Sequence, residues 1–241
     1  MKKIKKSSEL LWLFGIIFVA LGVAICSKAD LGVSMIAAPA FVVFDAIKGL
    51  WAGFSVGMTE YIIQGLLLIL LCIIVKKFNW RYLIAFLVAV IYGYVLNFFL
   101  WILNDVNFNE IWLRWVMLLF GDIVTAFGVA CFFKTYMPLQ VYELFVSETA
   151  NAFKISIHKV KSIFDISLLI LSITLSLTLF SDLTTFDWST IYYHSFHSIG
   201  LGTIFTTIVN APLINSCSKL LDNIFEPTAM FPTLEKIFKI N

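Results

Sequence analysis

Hydrophobic residues follow one another along most of this chain in long runs, with few polar positions between them. Six runs have about 20 residues, the length that an α-helix needs to cross the roughly 30 Å hydrocarbon core of a bilayer. The runs are continuous rather than alternating, which favours helices over the strands of a membrane barrel. The predicted spans are residues 9–28, 58–76, 80–103, 110–133, 162–181 and 199–220.

The composition supports a bilayer as the solvent of this chain. Of its residues, 61% are hydrophobic and 13% are charged, whereas about a quarter are charged in a typical globular protein. Such a chain cannot cover itself with polar surface in water. We therefore predict one membrane domain over residues 1–241, with lipid as its first partner. The net charge of +2 is too small to hold nucleic acid through counterion release.

The basic residues predict the orientation of the spans. If six spans alternate, 14 of the 17 basic residues fall on one side, which the positive-inside rule assigns to the cytoplasm. Both termini are then cytoplasmic. Residues 232–241 alternate apolar and charged positions, which predicts a short interfacial helix.

A repeat is detectable between the two halves. The segment Ala20-Leu21-Gly22-Val23-Ala24 aligns with Ala126-Phe127-Gly128-Val129-Ala130. Repeat 1 would cover residues 9–103 and repeat 2 residues 110–222, each with a short broken or re-entrant helix at 35–48 or 139–153. Because each repeat has three spans, the second would be inverted, as in many secondary transporters. The alternatives are chance matches of small packing residues and short helices that lie on the membrane surface.

Asp122 is the clearest candidate for a functional residue. It lies midway along the fourth predicted span, where an ionisable side chain costs several kcal/mol unless it faces a cavity or a partner. The alternative is a structural hydrogen bond between two helices.

Further polar positions within the apolar runs predict a polar cavity near the bilayer midplane. The N-termini of the short helices carry partial positive charge, which would suit an anionic or zwitterionic solute. For one of these positions, Asp165, the alternative is pairing with Lys161 four residues earlier. The candidate solute-binding residues, beside Asp122, are Asp165, Gln64, Ser34, Glu143, Asn97 and Asn210.

Neither a metal site, nor a cofactor site, nor a catalytic site is predicted. The four cysteines are scattered singly, without zinc-binding spacing. Gly53-Phe54-Ser55-Val56-Gly57 matches G-x-S-x-G but precedes a membrane helix rather than following a strand. His194 and His197 are three residues apart but have no convincing third ligand. We therefore expect a protein that is not an enzyme.

The chain resembles a known bacterial family in three segments. These are Ala29-Asp30-Leu31-Gly32-Val33-Ser34, residues 159–168, and Gly200-Leu201-Gly202-Thr203-Ile204. They are similar to segments of the YczE/YyaS/YitT-like bacterial integral membrane proteins. Met35 stands where many relatives have proline, and Pro138 with Glu143 matches a Pro-x-x-Glu element only loosely. The resemblance implies the bacterial plasma membrane and a mostly unassigned function.

Two kinds of function fit these patterns. The first is a small-solute transporter or a solute-binding membrane subunit, acting alone, as a homodimer or with a coupling subunit. The second is a non-transporting accessory or regulatory protein that acts through a protein partner.

Overall fold

The structure is a computed structural model that describes residues 4–51, 53–180 and 198–238. Its helices coincide with the predicted spans and short helices to within a few residues. They are α1 (Ser8–Lys28), α2 (Ala38–Ile47), α3 (Val56–Val75), α4 (Arg81–Ile102), α5 (Ile111–Phe133), α6 (Val141–Phe153), α7 (Ile157–Leu179), α8 (Leu201–Ile224) and α9 (Pro232–Phe238).

Local sequence explains where several helices begin. The side chains of Ser7 and Ser55 accept backbone N–H groups in the first turns of α1 and α3, which satisfies donors that have no partner within the helix. Pro39 lies in the first turn of α2, where its fixed φ is compatible with helix and its missing N–H costs nothing.

Five of the helices in the described part of the chain are long and apolar enough to cross a membrane: α1, α3, α4, α5 and most of α7. Many apolar side chains on their outer surfaces are exposed, such as Leu66, Leu87 and Ile163, as expected of surfaces that face lipid. The segment predicted as the sixth span is helical and forms most of α8. α8 has 24 residues, but its several Thr and Asn residues make its mean hydropathy too low for it to count among those five.

Within the described residues, the fold differs from an all-α prediction in one place. Residues Ile4–Ser7 (β1) pair in parallel with Phe225–Thr228 (β2), so the segment before α1 lies beside the segment after α8. The hydropathy pattern could not predict this pairing, because it joins two short segments more than 200 residues apart.

The centre of the fold is a crossing of α1 and α5 at four glycines. Gly15 lies against Gly128, and Gly22 lies against Gly121. Since the residue number rises along α1 as it falls along α5, the two helices are antiparallel.

α8 packs against α5, and both of its ends also meet residues from the first part of the chain. At one end, the N–H of Gly202 donates to the carbonyl oxygen of Leu31 at 2.8 Å. At the other end, Leu221 packs in a cluster with Leu11. α2 packs against α7 and α3 packs against α6, so the two halves of the chain are interleaved.

Candidate functional site

Polar side chains are buried together in the interior, where α3 and α6 pack against each other. We call Ser34, Glu60, Gln64, Tyr142, Glu143 and Asn210 the central polar site; each has at most 5% of its surface exposed. Four of these six residues, namely Ser34, Gln64, Glu143 and Asn210, are predicted site residues.

Glu60 connects α3 to α6. Its Oε2 accepts a hydrogen bond from the Tyr142 hydroxyl at 2.9 Å and lies 3.5 Å from the amide nitrogen of Gln64. Glu60 and Gln64 are one helical turn apart, so their side chains project from the same face of α3. The second carboxylate oxygen of Glu60, Oε1, has no hydrogen-bond partner.

A small cavity of about 20 Å³ lies next to these residues. Its lining includes Ser34, Tyr142, Glu143 and Asn210, and its volume is enough for one water molecule. Glu143 Oε2, Gln64 Oε1 and both polar atoms of the Asn210 side chain have no hydrogen-bond partner in the structure. Buried polar atoms are normally paired, so such a group of unpaired atoms marks a candidate binding site.

Asp165 lies beside the central polar site but is itself paired. Its Oδ1 is 3.1 Å from the Lys161 ammonium, and both residues are buried. The predicted contact between these two residues, four apart on α7, is therefore present. The pair is close enough to Glu143 to interact with it electrostatically.

Two other predicted site residues lie elsewhere. Asp122 is buried in α5, both its carboxylate oxygens have no hydrogen-bond partner, and its charge acts on Cys26. Asn97 accepts the Gly57 N–H at 2.9 Å and donates to Ser55 Oγ at 2.9 Å. The Asn97 amide thus ties α4 to the start of α3, and neither residue lines the small cavity.

Two larger cavities lie at opposite ends of α4. The first, which we call the α2 cavity, has a volume of about 730 Å³ and is lined by residues that include Lys28, Asp45 and Asn97. The second, the α6 cavity, has about 520 Å³ and is lined by residues that include Tyr82 and Glu148. Tyr82 and Asn97 are separated by roughly 22 Å along the helix axis.

The C-terminal segment closes one side of the α6 cavity. Glu9 accepts the backbone N–H groups of Met230 and Phe231 at 3.0 and 2.9 Å and a hydrogen bond from the Tyr136 hydroxyl. Burial and this hydrogen bond to a carboxylate raise the pKa of the Tyr136 phenol. Phe238 of α9 reaches the cavity wall. A short C-terminal helix is thus present as α9, and the segment before it is attached to the start of α1; its position at the membrane interface stays a prediction.

Sequence reasoning missed Glu60, although a signal was available. Glu60 is an acidic residue near the start of an apolar span, four positions before Gln64, and an acidic residue in a span is a functional candidate by default. Its importance depends on Tyr142, which is 82 positions away.

The described ranges contain no group of three or more His, Cys, Asp or Glu side chains placed to hold a metal ion. His194 and His197 lie outside the described residues.

Long apolar helices around a buried polar centre are typical of multi-pass helical membrane proteins. The chain belongs to a family of unknown function, DUF6198, whose sequence profile matches residues 6–219. No curated protein and no solved structure matches the chain. The resemblance to the YczE/YyaS/YitT-like proteins stays a prediction.

Proposed function

We propose that this protein is a small-solute transporter, or the solute-binding subunit of one, and that its binding site is the central polar site. The observation that supports this best is a set of unpartnered buried polar atoms located between two cavities at opposite ends of the bundle. A site that is opened first to one cavity and then to the other is what alternating access requires.

The proposal includes two inverted repeats, residues 9–103 and 110–222. When repeat 1 is aligned with repeat 2 at a shift of 106 positions, Gly15 aligns with Gly121 and Gly22 aligns with Gly128. The same shift exchanges the two observed contacts, Gly15 with Gly128 and Gly22 with Gly121. The glycines repeated at this spacing support a two-fold relation between the repeats, and the antiparallel crossing supports an axis in the membrane plane.

Six crossings with both termini in the cytoplasm complete the proposed topology. The pairing of β1 with β2 brings the start of α1 and the end of α8 to one side, which supports an even number of crossings. Reporter fusions to the C-terminus test this in a bacterial host. We expect a fluorescent protein to be fluorescent there and alkaline phosphatase to be inactive; the reverse result would contradict the orientation.

The buried charges favour one of the two predicted solute classes. Glu60 and Glu143 are acidic, and the nearby Lys161 is already paired with Asp165. A solute with only negative charge would be repelled by this arrangement, whereas a zwitterionic solute carries a positive group that the free carboxylate oxygens can accept. A homodimer or a coupling subunit as partner stays a prediction.

Thermal unfolding of the full-length protein in detergent tests the proposal. The test compares panels of zwitterionic, anionic and cationic metabolites, because a ligand at 100 times its Kd stabilises the folded state by about 2.7 kcal/mol. We expect a zwitterionic class to raise the Tm. Asn210→Leu, which removes a buried amide of the site, should abolish that shift.

Asn215→Leu is the matched control, because Asn215 lies on the same helix and is exposed. It should retain the shift in Tm. A panel without any stabilising solute, or a shift of equal size in Asn210→Leu, would contradict a solute site at this position and favour the accessory role.

A further inference from the structure

We propose that Glu60 and Glu143 form a proton-binding pair, in which the central polar site holds a proton on one of the two carboxylates. The consequence for transport, that solute movement is coupled to a proton, rests on the proposed function. Binding of the proton does not, because it follows from the geometry and charge of the site alone.

The two carboxylates act on each other and are shielded from bulk water. Glu60 is fully buried and Glu143 is 5% exposed, and the two interact electrostatically. Glu60 binds Tyr142, the residue directly before Glu143 in the chain. Two ionised carboxylates in such surroundings disfavour each other, and each also loses its hydration, so one of them gains from accepting a proton.

The neighbouring groups do not supply the missing positive charge. Neutral side chains face the pair from three helices: Tyr92 from α4, Tyr142 from α6 and Asn210 from α8. From α7, Lys161 and Asp165 face Glu143 as an ion pair. The lysine is shared with its own aspartate, so among the described residues it compensates the charge of the glutamate pair only in part.

The unpaired atoms are of the kind that a proton would satisfy. Glu60 Oε1, Glu143 Oε2, Gln64 Oε1 and Asn210 Oδ1 are all acceptors without a donor. A proton taken from water forms an O–H bond on one carboxylate oxygen and turns that acceptor into a donor. The adjacent cavity of about 20 Å³ admits a single water molecule that can deliver the proton.

Infrared titration of the full-length protein in lipid tests the inference, since a protonated buried carboxyl group has its own C=O stretching band. We expect this band in the wild-type protein at neutral pH and its loss as the pH rises. Glu60→Gln and Glu143→Gln imitate the protonated side chain in shape and should each fold. At least one of them should lose a band that the wild type has.

Two controls complete the experiment. Glu226→Gln changes an exposed glutamate and should leave the spectrum unchanged. Asp122 is another buried acid with unpartnered oxygens, and Asp122→Asn tests whether the band comes from it instead. A wild-type protein without the band, a band removed only by Asp122→Asn, or a band displaced by Na⁺ at constant pH would each overturn the inference.

The two proposals fail in distinguishable ways. If the band is present and depends on the glutamates while no solute raises the Tm, the proton pair stands and the transporter proposal fails. If a solute raises the Tm but neither glutamate carries a protonated band, the site binds solute without a proton of its own.

Discussion

Gly22 and Gly121 lie against each other where α1 crosses α5. A β-carbon on Gly22 would lie 2.6 Å from the carbonyl oxygen of Gly121, and one on Gly121 would lie 2.9 Å from the carbonyl oxygen of Gly22. Only hydrogen fits between the two backbones at this point. The close approach positions both halves of the chain around the central polar site.

Gly22→Ala should therefore destabilise the protein. The added methyl group meets backbone atoms of Gly121 and Thr125 as well as the Thr125 hydroxyl, so one helix must shift. We expect a loss of about 1–3 kcal/mol, as for other overpacked cores, measured as the free energy of unfolding in detergent. Gly49→Ala is the control, because a β-carbon at Gly49 has open space. Equal stability of the two variants would contradict the tight crossing.

Lys161→Met should lower the free energy of unfolding by more than an ordinary surface substitution does. It removes the partner of Asp165 at a buried position, and an unpaired buried charge costs about 3–5 kcal/mol. Unfolding in a denaturing detergent measures the loss. Adding Asp165→Leu to Lys161→Met should recover much of it, since both charges are then absent. If the double variant is as unstable as the single one, packing of the lysine stem rather than charge explains the effect.

Asp122→Asn should stabilise the folded protein. Both carboxylate oxygens of Asp122 are buried without a hydrogen-bond partner, so the neutral amide avoids the cost of desolvating a charge. We expect a gain of at least about 1 kcal/mol in the free energy of unfolding. Asp105→Asn, at an exposed position, should change little. A clear loss of stability in Asp122→Asn would mean that the carboxylate binds a group that holds it in place.

Glu9→Ala should release the C-terminal segment without unfolding the helices. The carboxylate accepts the N–H groups of Met230 and Phe231, so these two amides should exchange hydrogen for deuterium faster in the variant. Mass spectrometry of the peptide that contains them measures the change. Glu226→Ala, an exposed neighbour in β2, should retain slow exchange. Unchanged exchange in Glu9→Ala would show that β1 and β2 alone hold the segment.

Much of the secondary structure was determined by the sequence alone, because the signals are local. Continuous apolar runs predicted the long helices, and their flanking polar residues predicted the ends to within a few positions. Short runs such as the one that contains Pro39 predicted helices too short to cross a membrane. Each of these inferences depends on residues that are close together in the chain, where helix length and backbone geometry decide the outcome.

The composition of the site was decided by the tertiary structure. Gln64 and Glu143 were predictable as polar positions in apolar runs, but their meeting depends on the packing of α3 against α6. Glu60 gains its role from Tyr142, and Asn97, which looked equivalent in sequence, binds the start of α3 instead. A side chain's partners across helices are set by crossing angles and close backbone contacts, such as that of Gly22 with Gly121, and no local pattern in the chain encodes them.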